Sequence, residues 1–310
     1  MSAFTVKMIA LVSMLIDHTG CMLAYLYKLS ASQYLVMRSL GRIAFPLYAF
    51  LIVNGFEKTG SRTKYLSRLC VFSALSQIPF NFAPLRASSV QSAESLFAFR
   101  TDAAYLAVFA LLSAALAVSV FRKRYLSLSA AALTACAVAG TSLSLAGMTL
   151  LGGKLNVFYT LACSLTVICV IDMFERRTEY RPADIAAAVL LTAPVCALLL
   201  ENSDYGYMGL LLIAALYLFR HSRAVQAVSV VLWGAALYLP QGTAQFGMTA
   251  AAALAAVPVL MYSGKAGRKT KAFYYAYPAH LILLGIIYHH LTRAHTPDSV
   301  PFWRFLSFSP

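Results

Sequence analysis

Apolar positions in this chain come in long unbroken runs, with polar residues concentrated in the short gaps between them. Eleven runs, at 6–28, 39–57, 65–84, 102–121, 125–148, 155–174, 183–200, 205–220, 223–240, 244–262 and 271–291, approach the length a helix needs to cross a bilayer, about 20 residues. They predict an all-α fold, a polytopic transmembrane helical bundle of 10–11 spans forming a single domain over 1–310. Polar residues inside the runs mark 1–84 and return from Asn156 onward. Between them, 102–150 is rich in Ala, Leu and Ser, small enough for close helix contact in lipid. The two ends of the chain are therefore expected to build a site and the middle to pack. Segment 85–101 reads as the longest loop.

Composition agrees with lipid as the solvent. Of 310 residues, 60% are hydrophobic and 12% charged, with a mean hydropathy of +0.72; a soluble domain carries about 25% charged residues. The first run has only Lys7 as a basic flank and no small-x-small cleavage site after it, so it is expected to stay as a helix rather than be removed. The net charge of +14 does not point to nucleic acid, because the basic residues are scattered over short loops. With eleven spans, 16 of the 25 fall at 58–68, 122–124, 176–181, 220–223 and 265–271, all on one side. The positive-inside rule then puts the N-terminus in the cytoplasm and the C-terminus outside.

Six cysteines, Cys21, Cys70, Cys136, Cys163, Cys169 and Cys196, fall inside the runs without a C-x-x-C pair and read as small buried apolar residues. No glycine-rich phosphate loop, H-E-x-x-H or G-x-S-x-G occurs, and no metal is expected.

Chemistry concentrates in three places. Asp17 and His18 sit side by side in the first run, about 15 Å in from Lys7 at 1.5 Å per residue. An aspartate at that depth costs about 2.5 kcal/mol or more in lipid, so the pair is read first as functional. A structural clamp between Asp17 and Arg42 is the competing reading. Next, Gly41 to Pro46 leads to Asn54-Gly55-Phe56 and to Tyr65 to Arg68; Arg42 suits a bidentate anion contact or a headgroup. Arg62, Lys64 and Arg68 suit the phosphates of a cytoplasmic coenzyme or, equally, a plain positive-inside anchor. Lastly, Tyr277 and His280 stand three apart on one helix face. Asn156, Thr160, Asp204 and Tyr205 add polar groups at span starts, as cavity residues or helix caps.

These residues, in this order, resemble the TraX family of membrane proteins, the F-pilin acetylases. Lys7 to Ala10 with Met14 to Gly20, Gly41 to Pro46, Asn54 to Phe56, Tyr65 to Arg68, Gln77 to Phe80, Leu155 to Val157 with Thr160, Asp204 to Gly206, and Tyr275 to Leu281 carry the resemblance. Two departures stand out: 85–150 is longer than the family pattern and reads as an insertion, and Ser263 precedes Gly264 where Asn is expected.

The resemblance implies a multi-pass protein of the bacterial inner membrane that moves an acetyl group from acetyl-CoA to an amine or hydroxyl acceptor. The acceptor would be a pilin-like peptide, with a glycan or lipid head group as alternatives. His18 is then the expected general base, with Asp17 or a nearby carboxylate orienting it, and His280 a second catalytic histidine for a covalent relay. Arg42, Asn156 or Tyr277 would meet an oxyanion, while Thr160, Asp204 and Tyr205 would line the acceptor side. Arg62, Lys64, Arg68 and Asn54 would bind the coenzyme. The competing class is a proton-coupled transporter, since membrane Asp and His also build proton relays.

Overall fold

A computed structural model of the chain describes residues 1–85, 155–176, 178, 181–242, 245–268 and 272–293. Within them the chain is helical: α1 (Ala3–Tyr25), α2 (Ala31–Gly41), α3 (Ala44–Lys58), α4 (Arg62–Phe82), α5 (Val157–Glu175), α6 (Pro182–Asn202), α7 (Gly206–Leu218), α8 (Arg223–Tyr238), α9 (Phe246–Leu254), α10 (Ala256–Leu260) and α11 (Ala272–Arg293). Four helical runs, Ala3–Tyr25, Ala31–Lys58, Val157–Glu175 and Arg223–Gln241, are long and apolar enough to cross a membrane. The protein is an all-helical, polytopic membrane bundle. The expected spans 102–121 and 125–148, Cys136 and the insertion read at 85–150 lie essentially outside the described residues.

Two expected spans are broken, for the same reason. The second begins eight residues early, at Ala31, and divides at Arg42–Ile43 into α2 and α3; the tenth divides at Ala255 into α9 and α10. Each break precedes a proline, Pro46 and Pro258, that sits in the first turn of the helix after it. A proline ring clashes with the carbonyl four residues back, at Arg42 and Leu254, but is tolerated in a first turn where its missing N–H costs nothing. The α2 end tightens accordingly, with Arg42 N donating to Ser39 O and Ile43 N to Leu40 O.

α1 packs on α2, α3 and α11, α4 on α5 and α11, and α7 on α3, α5 and α8, while α9 lies against α2. α3 is buried on nearly every face, from Phe45, Leu47 and Phe50 to Val53 and Phe56, as expected of a central helix that is apolar all round. Val12, Leu75, Leu190, Leu211, Leu232 and Leu283 are exposed on the outer surface, suited to acyl chains.

The two ends of the bundle are held by different contacts. At one end, Ala3 N and Phe4 N bond to the carbonyls of Lys265 and Ala266, joining the N-terminus to the basic segment after α10. There Arg62 of α4 pairs with Asp172 of α5, and Arg220 pairs with Glu57 and Glu175. At the other end, Leu155 and Ser203 form an isolated parallel bridge, fixing the starts of α5 and α7. The five described cysteines are buried thiols.

Candidate functional site

Neighbours on a helix point about 100° apart, and Asp17 and His18 face different partners. Asp17 turns to the α2–α3 break. Arg42 Nη2 donates to both of its carboxylate oxygens at 2.9 Å, and Arg38 Nη1 to Oδ1 at 2.7 Å. Arg38 Nη1 also donates to Cys21 Sγ at 3.1 Å. The break makes this geometry available: Arg38 O, released from its usual backbone partner, accepts from Arg42 Nε at 3.1 Å, and Arg42 Nη1 reaches Tyr205 OH at 3.3 Å. Gly41 is required here, because a Cβ at that position would stand 2.3 Å from Asp17 Cβ. Tyr205 caps α7 at φ 62° and stacks on Phe45, with ring centroids 3.9 Å apart. Asp17 is thus a clamp joining α1 to the broken helix, and the residue orienting His18 is another one.

That residue is His280. His18 Nδ1 lies 2.7 Å from His280 Nε2, and His280 Nδ1 lies 2.9 Å from the carbonyl of Ala276. A carbonyl only accepts, so His280 Nδ1 carries a proton. In the neutral ring His280 Nε2 then holds a lone pair and accepts from His18 Nδ1–H. This hydrogen-bond network assigns the remaining lone pair to His18 Nε2. Tyr277, on the same face of α11, sets its ring edge-on to both histidines, with centroids 6.4 Å from His18 and 5.5 Å from His280. His280 is buried behind the pair, whereas His18 lines a cavity.

The cavity encloses about 770 Å³. Its wall includes Asp17, Arg38, Arg42, Asp204, Tyr205 and Tyr238 around the α2–α3 break, then His18 and Tyr277, then Tyr48, Tyr65 and Tyr274. It reaches Lys7, Lys58, Arg68 and Phe273 near the basic end. It therefore connects the two polar ends of the bundle past the histidine pair. Among the described residues no group of three His, Cys, Asp or Glu side chains stands close enough to hold a metal ion.

Several expected site residues do other work. Arg62 pairs with Asp172 and covers the Phe56 ring at 4.4 Å, and Lys64 is exposed; neither lines the cavity. Asn54 donates to Phe50 O at 2.8 Å and accepts from Arg223 at 3.3 Å, holding α3 to α8. Asn156 caps α5 through Phe158 N at 3.0 Å and ties it to α4 through Ser73 O and Gln77, both at 2.8 Å. Thr160 bonds to Ser203 and to the carbonyl of Asp204, anchoring the turn before α7. Sequence reasoning passed over Arg38, Tyr238, Lys58 and the wall position of Lys7. The stripe 7, 14, 18, 21 on α1 carried a signal for Lys7, since such spacing keeps side chains on one helix face. Arg38 fell just outside the predicted span.

A 101-residue stretch is 35% identical to the probable fimbrial assembly protein FimC, serogroup H1, of Dichelobacter nodosus; it covers 32% of this chain and 39% of that protein. No solved structure gives a significant match. The model of the TraX protein family matches residues 2–110 and 108–288, nearly the whole chain. On that coverage, the chain belongs to the TraX family.

Proposed function

We propose that this protein is a membrane-embedded acetyltransferase of the bacterial inner membrane, taking acetyl-CoA as donor and a pilin-like peptide amine as acceptor. The observation that carries the reading is the Ala276 carbonyl–His280–His18 chain ending in a basic nitrogen on a cavity wall. Family membership and the fimbrial assembly relative support the pilus-related acceptor.

The chemistry follows from the tautomers. His18 Nε2 accepts a proton from the acceptor amine as its nitrogen attacks the thioester carbonyl carbon. The new C–N bond forms, the C–S bond breaks, and the proton passes from His18 to the leaving thiolate. His280 stabilises His18 as it becomes positively charged, because its Nε2 accepts the Nδ1–H bond that strengthens with that charge. A positioned histidine base contributes about 10²- to 10⁴-fold. Asp17 holds Arg42 and Arg38 in the wall without touching the reacting atoms, and Tyr277 keeps the imidazoles packed.

The test is transfer of labelled acetyl from acetyl-CoA to a purified pilin subunit by the protein in vesicles. Label at the pilin N-terminus, absent with His18→Gln, is expected. Label that persists with His18→Gln, or solute counterflow without any transfer, would refute the reading.

A further inference from the structure

The cations of the basic end differ in setting: Lys64, Arg223, Lys265 and Arg268 lie off the cavity and, among the described residues, form no ion pair. Arg62, Arg176 and Arg220 lie off the cavity and are neutralised by Asp172, Glu57 and Glu175. Lys7, Lys58 and Arg68 lie on its wall and, among the described residues, form no ion pair. Their contacts are with neutral groups. Lys7 Nζ stands 5.5 Å from the centroid of Phe273, and the Arg68 guanidinium 6.0 Å from Tyr274 and 5.8 Å from Tyr65. Lys58 donates to Tyr262 OH and to the Gly264 carbonyl.

The three lie on the wall of one cavity. Lys7 and Arg68 flank the neighbouring rings of Phe273 and Tyr274 at the start of α11. Gly55 leaves room for the Tyr65 hydroxyl, 2.6 Å from where a Cβ would stand, so the Tyr65 side chain reaches from α4 to α3. Three cations without a carboxylate partner among the described residues, on one cavity wall, suit a polyanion. Aromatic rings beside them suit a flat base or an apolar tail.

We infer that Lys7, Lys58 and Arg68 form a polyphosphate clamp that grips the nucleotide end of the thioester donor at the basic mouth of the cavity. This deepens the acetyltransferase reading and rests on it for the donor's identity. It moves the phosphate contacts from Arg62 and Lys64, which the sequence suggests, to Lys7 and Lys58, and keeps Arg68. Anionic lipid headgroups share the phosphate chemistry and are the alternative source.

The test is binding of unacylated coenzyme A to the full-length protein in phosphatidylcholine nanodiscs, with a melting check on every variant. Lys7→Gln, Lys58→Gln and Arg68→Gln are each expected to weaken binding about tenfold or more, the scale of one charge-assisted contact. Arg68→Lys keeps the charge and is expected to lose less, while the exposed, off-cavity Lys64→Gln is expected to match wild type. In wild type, the 3′-dephospho coenzyme is expected to bind more weakly than coenzyme A. Unchanged affinity in the three variants, an equal loss in Lys64→Gln, or retention of phosphatidylglycerol with no coenzyme binding would overturn the clamp. Clamp-dependent binding without acetyl transfer refutes the proposed function alone. Transfer with an unchanged donor KM in the three variants refutes the clamp alone.

Discussion

Replacing Asp17 by asparagine tests whether its carboxylate is a clamp or a catalytic partner. Asn keeps the shape and removes the charge, stranding two guanidiniums against a neutral amide. The Arg42 side chain is only 9% exposed and that of Arg38 24%, so Arg42 bears most of the loss and water relieves part of it at Arg38. Stranding one partner of a buried ion pair costs about 3–5 kcal/mol, and the partial exposure of Arg38 places this case near 3. At about 2–4 °C per kcal/mol, the melting temperature in detergent is expected to fall about 6–12 °C. The double variant Asp17→Asn/Arg42→Gln is expected to lose less than the sum of its two single losses, because the more deeply buried cation is gone and only the partly exposed Arg38 is left without its carboxylate. Thermal unfolding followed by tryptophan fluorescence reads all three. An Asp17→Asn protein melting within about 2 °C of wild type yet unable to transfer acetyl would refute the clamp and return the carboxylate to the chemistry.

Further expectations follow from the same contacts. His280→Ala is expected to lower kcat about 10-fold or more with a nearly unchanged donor KM, whereas His18→Gln loses the 10²- to 10⁴-fold of a general base; equal donor KM increases in both would point to binding instead. Gly41→Ala puts a Cβ 2.3 Å from Asp17 Cβ, so α1 and α2 must separate, at about 1–3 kcal/mol of stability; an unchanged melting temperature would show that the approach is looser. Asn156→Ala removes a helix cap and its ties to Ser73 and Gln77, and is expected to lower the melting temperature while leaving donor KM alone.

Much of this was legible in the sequence because lipid constrains it so strongly. Backbone groups must be satisfied within each segment, so apolar run length located most of the helices that the described residues contain, but not most of α2 nor the breaks at Arg42–Ile43 and Ala255. The ionisable pair at Asp17 and His18 marked the candidate site because such residues are costly at that depth, and His280 was read as the second histidine at membrane depth. What the sequence left open was direction. A pair of adjacent residues does not tell which one meets which partner, and that depended on the break ahead of Pro46, which turns Arg38 and Arg42 onto Asp17. Polar residues at span starts, Asn156 and Thr160, look alike whether they line a cavity or cap a helix. Arg62 differs from Arg68 only in the carboxylate it meets, Asp172, more than a hundred positions along the chain.

The most direct test of the account is release of coenzyme A thiol from acetyl-CoA by the purified, folded protein given a peptide amine acceptor, wild type beside His18→Gln. Release by wild type that vanishes with His18→Gln at an unchanged melting temperature is the predicted result. Equal release by the two proteins, or none from either with acceptor present, would contradict the claim that His18 performs acetyl transfer on this cavity wall.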